Sequence, residues 1–126
     1  MENEPKSVLI MDDDEFIRDM YTVALTEAGV NVLTAKNGQE GISLALKHRP
    51  SVILLDIEMP MMDGHATAKK IREDDWGKNA HIIFLTNHSD PKNVVTAVAQ
   101  KPEDYIVKAN TSVKEVVNQV RIAMHR

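Results

Sequence analysis

The chain has 126 residues, no cysteine, 43% hydrophobic and 27% charged residues, and a net charge of −4. That is one domain of ordinary globular composition, without disulfides, thiolate nucleophiles or Cys-ligated metals. Mild acidity, with one Trp, two Tyr and two Phe, argues against a phosphate-backbone footprint or a base-stacking platform, so no nucleic-acid partner is expected. No apolar run is long enough for a transmembrane helix, and Met1–Lys6 has no signal-peptide core. The expectation is a cytoplasmic protein, with residues 1–6 a flexible lead-in and residues 7–126 one folded domain.

Five short apolar runs stand out in chain order: Val8–Met11, Val30–Leu33, Val52–Leu55, Ile82–Leu85 and Tyr105–Val107. They are near-continuous rather than alternating, as in strands buried on both faces. Helical patterns lie between them. Ile17, Met20, Tyr21, Ala24, Leu25 and Ala28 form one stripe, closed by Gly29 where a helix C-terminus favours glycine. Ile42, Ala45 and Leu46 mark a second helix after Asn37-Gly38, and Ala68 and Ile71 a shorter third. Val94, Val95 and Val98 mark a fourth, between Asp90-Pro91 and Pro102. Val113, Val116, Val117, Val120 and Met124 mark the fifth, with Thr111 or Ser112 as cap and Ser112-x-x-Glu115 as a capping box. Five β-α units predict a doubly wound parallel sheet with helices on both faces and right-handed crossovers.

Ligands of such sheets bind beyond the carboxyl ends of the strands. Here those ends carry Asp12-Asp13-Asp14, Asp56, Thr86 and Lys108. Clustered carboxylates repel and raise one another's pKa values, and a hard divalent cation, Mg²⁺ or Mn²⁺, removes the conflict. A Lys and a Thr beside such an ion suit a bound phosphoryl group, with one carboxylate as a nucleophile forming an aspartyl phosphate. Asp14 is the expected cap of the first helix. Asp63-Gly64 reads as a turn with glycine at a special backbone angle. Met59, Met61 and Met62 read as loop filling and core packing rather than a partner patch.

Val8–Asp14, Leu54–Gly64, Ile83–Thr86 and Asp104–Lys108 together resemble the strand signatures of response-regulator receiver domains. The resemblance runs from Ser7 to about Met124, in order and in spacing. It implies a flavodoxin-like (βα)5 fold with strand order 2-1-3-4-5. It implies Asp56 as the phosphorylated aspartate and Asp12 and Asp13 as the metal-binding pair, with Glu58 giving a backbone carbonyl. Thr86 resembles the switch hydroxyl, Lys108 the lysine that pairs with the phosphoryl group, and Tyr105 the aromatic that turns inward with the threonine. Such a domain is a signalling phosphoacceptor rather than an enzyme. Its partners are a histidine kinase or phosphotransfer protein, and a downstream protein reading the face of the fourth helix, fifth strand and fifth helix. The chain is expected to be a stand-alone domain, monomeric or weakly dimeric.

Some positions depart from the family pattern. Ala109 stands where proline is usual and Asn110 where an aromatic is common. A cis peptide before a non-proline costs ~2.5–4 kcal/mol, so a trans peptide and a different loop are favoured after Lys108. Asn87 replaces a small residue and is expected to slow phosphate turnover by restricting access. His88 at the pocket mouth and the extra charge of Glu58 are candidate tuning residues. Two rivals exist. One is a phosphate-independent module on the same fold. The other is a haloacid-dehalogenase-like phosphatase, in which Asp12-x-Asp14 would be nucleophile and acid.

Overall fold

The computed structural model describes residues 6–86, 104–108 and 111–125, with Asp104 and Tyr105 described as backbone only. Five strands form one parallel sheet: β1 Ser7–Met11, β2 Asn31–Ala35, β3 Val52–Asp56, β4 Ile82–Thr86 and β5 Asp104–Val107. Their order is β2-β1-β3-β4-β5, the doubly wound arrangement expected from the alternating pattern. The helices are α1 Glu15–Glu27, α2 Gly38–His48, α3 Gly64–Arg72 and a C-terminal helix Val113–Met124, with a 3-10 turn at Gly77–Asn79. The helix expected around Val94, Val95 and Val98 lies outside the described residues, as do Asn87, His88, Ala109, Asn110 and the side chain of Tyr105.

The caps explain where the helices start. Asp14 accepts from the Ile17 N–H, Asn37 from Glu40 and Asp63 from Ala66, each satisfying a donor with no partner inside its helix. Ser112, rather than Thr111, caps the C-terminal helix, and both arms of its box with Glu115 are formed. Gly29 has φ +85, which fits it to the turn leaving α1. β2 is shifted from the expected Val30–Leu33. The Val30 N–H bonds back to the Leu25 carbonyl, and the strand continues to Ala35, which pairs with Met11.

Alternation along the strands divides the core in two. Leu9, Met11, Ile53, Leu55 and Phe84 face α2 and α3, where Ala45, Ala68 and Ile71 close over them. Val8, Ile10, Leu54, Ile83 and Leu85 face α1 and the C-terminal helix, against Tyr21, Leu25, Val116 and Val120. Covering both faces accounts for the continuous apolar runs. One expected core position fails: Leu46 is exposed, and Leu44 packs against the core instead. Among the methionines, Met59 is core, whereas Met61 is 92% exposed with φ +69.

Candidate functional site

The sheet register brings the strand-end residues level. Met11 pairs with Leu55, so Asp12 lies beside Asp56; Asp56 pairs with Leu85, one residue before Thr86; Thr86 pairs with Val107, one before Lys108. Asp12, Asp56 and Thr86 are buried, while Asp13 is exposed at the rim. Buried carboxylates at strand ends are costly unless paired, and these are paired. The Lys108 Nζ lies 2.9 Å from the Asp12 Oδ2 and 3.5 Å from the Asp56 Oδ1, with the lysine side chain only 10% exposed.

Backbone donors fix the carboxylates further. The Asp14 N–H donates to the Asp12 Oδ1 at 3.0 Å, and the Glu58 N–H to the Asp56 Oδ1 at 3.2 Å. Arg18, from the first turns of α1, donates through Nη1 to the Asp12 carbonyl at 2.8 Å and clamps the β1–α1 loop. The loop after β3 is held by Gly64, whose N–H donates to the Ile57 carbonyl at 2.8 Å. A Cβ on Gly64 would stand 2.5 Å from the Asp56 carbonyl oxygen and 2.7 Å from the Ile57 Cα. The glycine expected at a special backbone angle is instead the first residue of α3, with no positive φ, and close approach is what requires it.

The electrostatics follow from this packing. Burial first, and then the Asp12 carboxylate, push the Asp56 carboxyl up to about 7, against the opposing pull of Lys108 and the Glu58 N–H. Burial disfavours the Lys108 ammonium, but its hydrogen bond to Asp12 and the Asp56 charge outweigh this and raise its pKa. Tyr21 on α1 feels the same cluster. Burial raises its phenol, Lys108 lowers it, and Asp12 and Asp56 raise it again. The sequence does not mark Arg18 or Tyr21 as site residues. The one available signal was a tyrosine within an otherwise aliphatic stripe.

Asp12, Asp13 and Asp56 each offer an oxygen within 4.8 Å of the others, a donor set that can hold a metal ion. All-oxygen, carboxylate-rich ligation suits a hard divalent cation. Thr86 is buried at the end of β4, beside this cluster. Glu58 is exposed, with its backbone N–H turned to Asp56.

Comparison with known proteins agrees with this arrangement. The model of the response regulator receiver domain matches residues 8–121. The chain belongs to that family. The transcriptional regulatory protein SrrA of Staphylococcus aureus is 37% identical over 126 residues, all of this chain and 49% of its own length. AfsQ1, a transcriptional regulatory protein of Streptomyces coelicolor, is 36% identical over 102 residues, 81% of this chain and 44% of its own length. The receiver thus spans about half the length of these relatives. Among solved structures, the Vibrio cholerae chemotaxis protein CheY4 superposes with a TM-score of 0.88 at 29% identity, covering 95% of this chain and 99% of that one. Family membership sets aside the haloacid-dehalogenase-like alternative. No helix among the described residues is long and apolar enough to cross a membrane.

Proposed function

We propose that this receiver accepts a phosphoryl group on Asp56 from a phosphohistidine of a histidine kinase or phosphotransfer protein, and signals through the resulting rearrangement. The observation that carries this reading is the Lys108 ammonium held between Asp12 and Asp56, beside the three-carboxylate cluster. An Asp56 oxygen attacks phosphorus, the new P–O bond forms as the P–N bond breaks, and the imidazole leaves. Asp12, Asp13, Asp56 and the Glu58 carbonyl would hold Mg²⁺ (or Mn²⁺), which would neutralise phosphoryl oxygens and keep Asp56 ionised. Lys108 supplies a second positive charge to the transferred group and Thr86 a hydrogen bond. Because Asp56 is braced by the Glu58 N–H and by the tight packing of Gly64, the nucleophile is positioned before the donor arrives.

The transferred group adds negative charge where Lys108 already bridges β5 to β1 and β3. Movement of Lys108 and Thr86 toward it carries the change to the face that includes β5 and the C-terminal helix, where a downstream protein reads it. The test is intact-protein mass after incubation with acetyl phosphate and Mg²⁺. The expected result is a gain of one phosphoryl group, absent with chelator and absent in Asp56→Asn. No gain, with no detectable Mg²⁺ binding, would instead identify a phosphate-independent module on this fold.

A further inference from the structure

Two clefts open on the floor of the domain, at the N-terminal ends of the strands. One, of about 370 Å³, lies between the end of α2, the 3-10 turn and the C-terminal helix, and is lined by Lys6, Arg49, Trp76 and His81 among others. The other, of about 340 Å³, shares Lys6 and Met124 with it and adds Arg121 and His125. No carboxylate among the described residues lines either cleft, although the chain as a whole carries −4. Lys6, Arg49 and Arg121 form no salt bridge among the described residues. The Lys6 Nζ donates to the Met124 carbonyl, which anchors its stem at the junction of the two clefts.

Basic residues at helix ends complement the helix dipole, and that accounts for Arg121 in the last turn of the C-terminal helix and for Lys6, whose Nζ donates to the Met124 carbonyl at its end. A cation also suits Arg49, the C-cap of α2, but its backbone is left-handed at φ 48, ψ 61, where glycine is the ordinary choice. The backbone at this position disfavours arginine, yet Arg49 lines a cleft whose other charged residue, Lys6, is also cationic. A guanidinium fork matches a phosphate in bidentate fashion, and an indole offers a flat apolar wall. The volume falls in the range of small-molecule sites, roughly 300–1,000 Å³.

We propose that the floor cleft binds a small ring-bearing phosphate ester of the size of a nucleoside monophosphate, with Arg49 and Lys6 on the phosphate and Trp76 beside the ring. Strands of five residues at ~3.3 Å per residue put this site about 15 Å from the acidic pocket. It therefore stands apart from the phosphoryl transfer proposed above.

Trp76 is the only tryptophan and lines this cleft, so the indole emission comes from a single residue at the site. AMP is titrated into the full chain, with adenosine and inorganic phosphate as separate probes of the two halves. The expected result is a saturable change with AMP and roughly tenfold or weaker binding of either half. Arg49→Gly removes the guanidinium while suiting the left-handed backbone, so it should keep the fold and weaken AMP by roughly tenfold or more. The proposal is overturned by no saturable change at millimolar AMP, by adenosine matching AMP, or by an Arg49→Gly protein that binds AMP as the wild type does.

Discussion

Asp56→Asn should stabilise the metal-free protein, and by an amount set by pH. The Asp56 carboxyl titrates near 7 in the folded chain against 3.8 as its ordinary value. Its folded pKa is raised, so the folded state binds the proton more tightly than the unfolded state. Stability from this group is fully present below about pH 4 and is lost as pH rises through about 7. About three units at ~1.4 kcal/mol each set a ceiling of about 4 kcal/mol. The group is 3% exposed, so solvent screening does little to reduce this. Asparagine keeps the Oδ1 that accepts the Glu58 N–H and removes the charge that Asp12 opposes. Urea unfolding in chelator at pH 8 should show the variant more stable by about 2–4 kcal/mol with an unchanged m-value, and by under about 1 kcal/mol near pH 4.5. Mg²⁺ at a hundred times its Kd should return about 2.7 kcal/mol to the wild type at pH 8, and much less to the variant. A difference that does not change between pH 4.5 and 8 would refute the electrostatic account of the pocket.

Gly64→Ala should lower stability by about 1–3 kcal/mol, because its Cβ meets the Asp56 carbonyl and the Ile57 Cα rather than a flexible side chain. Phosphorylation by acetyl phosphate should slow in parallel; normal stability and rate together would show that the loop yields freely. His65→Leu should raise stability by about 1–3 kcal/mol, since neither buried ring nitrogen has a hydrogen-bond partner among the described residues and the ring centroid lies 5.4 Å from that of Phe84. Burial holds the His65 pKa below 6.5, with Asp63 opposing. The unfolded chain therefore takes up a proton that the folded chain refuses, and the wild type loses ground as pH falls below 6.5. Chemical denaturation at pH 5 and 8 should show a wider gap at pH 5; a less stable leucine variant at both would sink this reading.

The sheet was legible in the sequence because strands buried on both faces leave little ambiguity in runs such as Val52–Leu55. The pocket was legible because polar residues that end such runs have nowhere to go but the strand ends. Contacts to backbone were not. Nothing in the α1 sequence marks Arg18 as the donor to the Asp12 carbonyl, since that bond depends on the path of a loop. Turn statistics speak of backbone angles and not of what lies opposite a missing Cβ, which is what requires Gly64. Leu46 was misplaced by one turn's ambiguity in a short stripe, where Gly41 and Ala45 take the buried line.

The ion pairs of Lys108 bear on how the pocket survives being emptied. An ammonium 2.9 Å from Asp12 and 3.5 Å from Asp56 is a tethered placeholder cation. Without it, the clustered carboxylates would repel one another with no cation between them. Under the proposed function, an ion or phosphoryl group would have to displace this placeholder, which would weaken apparent metal affinity. In exchange, the domain would pass between loaded and empty states without losing its fold.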